Sequence, residues 1–300
     1  MKNKRDKSLR FNVAIMFIAC LFVGGIFSGC SIPGFDGKQD GFFGSGTSAT
    51  NSGNGVDLTF AAGNPSLELI KDQPTTFAFV FTNNQKHEIT DMKVKTKNFE
   101  RDYVSGLAAD YSVSTIPKAT EQAGAGVYAG HIVEGVRVND FMDTYDFNPI
   151  IDYCYSAKTT FREQICVPSK MNQCDTKIET SKSENGPVQV GINRVTAVES
   201  NVRIDFEVSN TGNGNVLNEC FNADEYSNGY DLEVTMGTTK GNCEAVSGQN
   251  IINDKSSFYC IFPRSGDESY ASQVVVKLDY MYQQTTQLSI KVKDLNAGYD

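Results

Sequence analysis

Tryptophan is absent from this 300-residue chain and histidine occurs only twice, at His87 and His131. A Ser-His-Asp or Cys-His machine would have to rest on one of them. His87 stands in the polar turn "NNQKHE", which leaves His131 in "YAGHIVEG". The expectation for both is a structural histidine. No Cys-x-x-Cys knuckle occurs, so a thiolate metal centre has no starting motif. The sole Asn-x-Ser/Thr triplet is Asn64-Pro65-Ser66, whose proline blocks N-glycosylation by that code. No segment sustains a helical period, which excludes a helix bundle. Net charge is -9 at pH 7, and without the first ten residues, which hold five cations against one anion, it is -13. So acidic a product repels phosphate backbones, and no nucleic-acid partner is expected.

What is present begins with an address. "MKNKRDKSLRFNVAIMFIACLFVGGIFSGCS" has a basic start and an apolar run from Phe11 to Phe27, the layout of an export signal. "FSGC" resembles the lipobox of exported lipoproteins, in which small residues precede a cysteine that receives lipid, here Cys30. Retention as a membrane-spanning helix is the alternative, because seventeen apolar residues lie at the short limit for crossing a bilayer. "FIAC", ending at Cys20, would leave too short an apolar region. After a signal over 1–29, residues 30–55 are rich in Gly, Ser, Thr and Asn without hydrophobic period, the composition of a tether.

The remainder repeats itself. "FVFTNNQKHEI" and "FEVSNTGNGNV" align without a gap: Phe79 with Phe206, Phe81 with Val208, Asn83 with Asn210, Ile89 with Val216. The offset, 206 minus 79, is 127. Adding it to Tyr153 and Tyr155 gives Tyr280 and Tyr282, so two separate patterns share one spacing. In both copies bulky residues alternate with smaller or polar ones and the runs end in Asn- or Gly-rich turns, the period of strands with one buried face. The fold class expected is all-β, with two tandem β-sandwich domains of the immunoglobulin or fibronectin III type at 56–170 and 187–300, joined by a linker at 171–186.

Apart from Cys20 and Cys30, six cysteines remain: Cys154, Cys166, Cys174, Cys220, Cys243 and Cys260. An even number in an exported chain implies three disulfides. "IDYCYSAKTTFREQICV" suggests a hairpin with Cys154 bonded to Cys166 on its outer face and Tyr153 and Tyr155 in the core. Cys174 would then reach the second copy as a covalent brace. Cys174–Cys220 with Cys243–Cys260 is one of three pairings left open.

Other motifs carry less. "GAGVYA", 124–129, fits G-x-G-x-x-A, but "KATEQA" before it is no hydrophobic strand, so the dinucleotide reading fails. Asp140, Asp143 and Asp146 in "NDFMDTYDF", and Asp224, Glu225 and Asp231 in the other copy, are weak calcium candidates. No cofactor is implied.

"VDLTFAAGNPSLELIKDQPTTFAFVFTNN", "YCYSAKTTFREQICV" and "GPVQVGINRVTAVESNVRIDFEVSNTGNGNV" together resemble cell-surface lipoproteins of archaea with tandem immunoglobulin-like domains. That resemblance implies lineage and fold and brings no catalytic residue. Three functions are weighed: a non-catalytic surface module, anchored to the outer face of the cytoplasmic membrane, that binds protein or glycan or assembles an envelope; a spacer holding another component off the membrane; and a calcium-dependent binder or hydrolase using the long segment 103–147.

Overall fold

The computed structural model describes residues 55–61, 63–98, 102–120, 127–139, 144–169, 174, 186–222, 229–246 and 255–295. The strands, numbered in chain order, are β1 Val56–Phe60, β2 Glu68–Ile70, β3 Thr75–Asn83, β4 Ile89–Lys97, β5 Val104–Ser105, β6 Asp110–Ile116, β7 Val127–Val138, β8 Thr144–Phe147 and β9 Ile150–Val167. The second copy adds β10 Val188–Val198, β11 Asn201–Asn210, β12 Asn215–Leu217, β13 Asp231–Met236, β14 Thr239–Lys240, β15 Asn242–Ala245, β16 Lys255–Pro263, β17 Tyr270–Gln287 and β18 Ile290–Lys293. The chain is all-β, and no helix occurs among the described residues.

Alternation sets the strands. In β3, Phe77, Phe79 and Phe81 are buried while the residues between them are half-covered. In β11, Val202, Ile204, Phe206 and Val208 do the same. Burying an aromatic or aliphatic side chain of this size stabilises by about 1.5–3 kcal/mol, so each strand is held to its face. A one-residue slip would turn all of these side chains outward.

Each copy builds a four-stranded sheet, β1-β3-β7-β5 in the first and β10-β11-β16-β15 in the second. Both face one larger sheet, β14-β13-β17-β9-β4-β6, with β12 also on β17. Ring contacts close the layers in the first copy, where Phe81 meets Tyr153 at 6.0 Å and Phe79 meets Tyr111 at 5.6 Å, and within one sheet of the second copy Phe206 stacks on Phe258 at 4.7 Å. A fourth, small sheet has the order β2-β18-β8.

The duplication is visible at atomic detail. Asn83 ends β3, accepts the Gln85 N–H through Oδ1 and donates Nδ2 to the His87 carbonyl. Asn210 ends β11, accepts the Gly212 N–H and donates to the Gly214 carbonyl. One side chain therefore templates the same turn twice, satisfying a donor two residues on and an acceptor four residues on.

The halves do not stand apart. Residues Gly46–Asp300 form one compact unit, a single hydrophobic cluster runs through both copies, and β18, from the end of the second copy, lies between two strands of the first. The linker segment 175–185 lies outside the described residues, as does the N-terminal segment 1–54 with its signal, tether and Cys30. Among the described residues no helix is long and apolar enough to cross a membrane.

Candidate functional site: a tyrosine seam between the copies

The most elaborate polar construction in the molecule is the seam where β9 lies antiparallel to β17. One register runs without slip from Val167 opposite Tyr270 to Ile150 opposite Gln287. Within it Tyr155 faces Tyr282, the pair that the repeat makes equivalent. Their rings meet edge-on at 5.9 Å, and Tyr282 also meets Tyr280 at 6.3 Å. All four seam tyrosines, Tyr153, Tyr155, Tyr280 and Tyr282, are buried.

Their hydroxyls hold the first residues of the two strands that cover the seam. The Val56 N–H donates to the Tyr155 hydroxyl at 3.0 Å, and the Tyr153 hydroxyl donates to the Val56 carbonyl at 3.3 Å. In the second copy the Val188 N–H donates to the Tyr280 hydroxyl at 3.3 Å. That hydroxyl lies 2.9 Å from Thr159 Oγ1, which donates to the Val188 carbonyl. Thus β1 and β10 each find both backbone groups of their opening valine satisfied by the central sheet. Buried backbone groups left unpaired would cost roughly 1–3 kcal/mol each.

The network then crosses between copies. Tyr155 donates to Gln284 Oε1 at 3.1 Å, and Gln284 Nε2 donates to Asn213 Oδ1 at 2.9 Å. Tyr282 accepts the Gly214 N–H at 2.8 Å and donates to Asn210 Oδ1. Gly212 has to be glycine here, because an added Cβ would overlap the Tyr282 hydroxyl. Gly186, at φ +103°, passes so close that a Cβ would lie 2.7 Å from Thr159 Oγ1. On the opposite side of the sheet Thr285 donates to Asp152, which also pairs with Lys97, and Lys158 pairs with Asp279. Asp152 and Asp279 are repeat equivalents, as are Lys158 and Thr285, so each contact is the other's image.

Burial dominates the proton chemistry. It raises all four phenols: Tyr282 is pushed up to about 12, Tyr153 and Tyr280 lie higher still, and Tyr155 is raised well above its ordinary value. Neutral phenols at physiological pH bridge donors and acceptors, and that is the work this arrangement performs.

The six cysteines pair as Cys154–Cys220, Cys166–Cys174 and Cys243–Cys260. The expected Cys154–Cys166 bond is overturned. Residues 150–167 form one straight strand with no hairpin, and twelve residues at about 3.3 Å each set those cysteines roughly 40 Å apart, far beyond disulfide reach. The brace between copies exists, but Cys154 makes it and Cys174 returns to Cys166. Cys243–Cys260, half of one pairing left open, joins directly opposite residues of β15 and β16, while its companion Cys174–Cys220 does not form. Next to the brace, Lys95 stands 4.5 Å over the Phe221 ring.

Of the calcium candidates, two are among the described residues. Asp146 is exposed on β8 and Asp231 is exposed on β13, while Asp140, Asp143, Asp224 and Glu225 lie outside the described residues. No group of His, Cys, Asp and Glu that could hold a metal occurs among the described residues. His87 is partly buried, and burial is the main cause lowering its pKa, against the backbone of Ser156, which raises it. His131 lies on β7 opposite Phe79. Val127–Ala129 of "GAGVYA" also belong to β7, a strand rather than the turn into a helix that a dinucleotide site needs.

Reading the sequence missed Thr159, Gln284 and Asn213 as seam residues. The shared offset of the tyrosine pairs was the signal for the seam, and at the same spacing Thr159 has its equivalent in Thr286. No protein-family model matches the chain, and no curated protein matches it at a significant level.

Proposed function

We propose that this is an exported, membrane-anchored, non-catalytic surface protein whose folded body presents sheet edges and loops to a protein or glycan partner, or to neighbours in an envelope. The observation that carries the reading is the combination of an export-type N-terminus with three disulfides in an all-β body. Disulfides of this number persist in oxidising compartments and are rare where thiols are kept reduced. An immunoglobulin-like sandwich for each copy is supported by the orders β1-β3-β7-β5 and β10-β11-β16-β15, which parallel the A-B-E-D sheet of that class. The N-terminal cysteine Cys30 carries the lipid, and the segment to residue 55 is the tether.

A second reading, a spacer, draws support from the seam. Two sandwiches sharing a sheet, a core and a disulfide make a stiffer strut than two domains on a linker. The third, a calcium-dependent binder or hydrolase on 103–147, has Asp146 as its one described carboxylate candidate.

Mass spectrometry of the protein taken from native membranes tests the proposal. A mature chain beginning at Cys30 with added lipid mass and three intact disulfides is the expected result. A chain recovered from the cytosol with Met1 retained and all eight thiols free would reject it. Cross-linking on intact cells then separates the readings: one recurrent partner favours binding, and none favours the spacer.

A further inference from the structure

The seam carries a symmetry that neither copy needs for its own fold. The register of β9 on β17 continues beyond those strands. Leu288 N–H bonds the Pro149 carbonyl, and β18 then lies on β8 with Ile290 opposite Phe147 and Lys293 opposite Thr144. Residues 144–167 and 270–293 are therefore two arms paired antiparallel end to end, with the equivalent tyrosines Tyr155 and Tyr282 at the centre. Every other pair is matched by its image: Tyr153 opposite Gln284 answers Ala157 opposite Tyr280, and Asp152 opposite Thr285 answers Lys158 opposite Asp279. This is a local two-fold axis, the mark of an interface that uses the same surface on both partners.

The arms also trade places. The far half of β9, with buried Phe161, Ile165 and Val167, pairs along the half of β17 that β13 flanks, among strands of the second copy. The far end of the other arm, with buried Ile290 and Val292, sits between β2 and β8 of the first copy, where Phe147 meets Phe77 at 6.2 Å. Between Tyr153 and Val167, and between Tyr280 and Lys293, neither arm has a Gly, Pro, Asn or Asp. Ser156 and Ser289 are the turn-favouring residues left in them, and neither arm holds the Asn-Gly or Asp-Gly type of pair with which a tight hairpin folds back onto its own copy.

We infer that the seam is a homodimer interface made permanent by duplication: the unit of assembly is one copy, its partner is a second copy of the same fold, and each unit closes the other by delivering its C-terminal half-strand. The two copies exchange strands within one chain as two subunits do in a strand-swapped dimer. The segment between them, residues 168–187, holds the partners at an effective concentration on the order of millimolar, so pairing within a chain outcompetes pairing between chains under ordinary conditions.

The test uses the full chain carrying Cys154→Ser and Cys220→Ser, with a protease site inserted in 175–185, cut after folding. The halves are expected to elute together at the mass of the uncut chain. When cut protein with a tag on the second half is denatured and refolded with untagged cut protein, about half of the pairs formed should be mixed. Halves that run separately as folded monomers, each keeping its own arm, would overturn the inference. Should the cut protein not stay in solution, the uncut wild-type chain decides. Refolded near millimolar concentration it should yield paired chains that persist on dilution, and monomer alone at every concentration would overturn it.

Discussion

Replacing Tyr155 with Phe removes one oxygen from the middle of the seam and leaves the ring in place. That oxygen is fully buried, accepts the Val56 N–H and donates to Gln284 Oε1. After the change the N–H of Val56, a residue with no exposed surface, has lost its partner, and so has one amide oxygen. Each costs about 1–3 kcal/mol when left unsatisfied. The hydroxyl's own desolvation is no longer incurred, and Gln284 keeps its bond to Asn213, so the net loss should be about 2–3 kcal/mol. With a urea slope of about 2–3 kcal/mol/M for a body of this size, the midpoint should fall by about 1 M. The assay is urea unfolding followed by far-ultraviolet circular dichroism, because the chain has no tryptophan to report. Tyr259→Phe is the control. That tyrosine is on the exposed side of β16, bonded to Glu244, and its change should stay within about 0.5 kcal/mol. Combining Tyr155→Phe with Gln284→Leu should recover part of the loss, since both partners of that bond are then gone. If Tyr155→Phe costs no more than Tyr259→Phe, the seam hydroxyls do not hold the copies together and the reasoning fails.

Three further outcomes follow from the same geometry. Removing the Cys154–Cys220 bond, which closes a separation of 66 residues, should cost about 4 kcal/mol in the chain-entropy account, against about 2.5 kcal/mol for the 8-residue Cys166–Cys174 bond. Calorimetry of the two Cys→Ser pairs checks the ranking, and the reverse order would refute it. The seam phenols have folded-state pKa values above their unfolded value of about 10, so the native state binds more protons at alkaline pH. Stability should be level below pH 9 and fall above pH 10 by up to about 1.4 kcal/mol per pH unit for each phenol, Tyr282 contributing up to about pH 12. Urea midpoints unchanged through pH 11 would contradict this. Ile290→Ala changes the second copy's chain but should loosen the first. A loss of about 2–4 kcal/mol and faster hydrogen exchange at β2 and β8 are expected, and exchange changes confined to β10–β16 would argue against the crossing of β18.

The shared sheet holds the two copies in one fixed arrangement. Their outer faces differ in chemistry. The second copy carries Arg203 over the Tyr259 ring, paired with Asp205, and Lys255 paired with Glu207. On the first copy the corresponding side of β3 holds Ala78, Val80 and Thr82, with Ile132 exposed on β7. Duplication conserved the seam geometry while the faces diverged, as expected when the inner residues are bound by packing and the outer ones only by solubility.

The amino-acid sequence by itself determined that this chain is all-β, that it contains the same unit twice, and which side chains face the core. These are local properties: alternation assigns a face, and a shared offset of 127 assigns equivalence. It also carried a clue to the straight arm in the lack of Gly, Pro, Asn or Asp between Tyr155 and Val167, although the two cysteines suggested a hairpin. Tertiary structure alone decided which copy receives the second half of each arm, which cysteine makes the brace, and that Gln284 and Asn213 complete the tyrosine network. Those outcomes depend on residues at least 66 positions apart. A strand edge takes any partner whose register buries the right face, and only the assembled body determines which one that is.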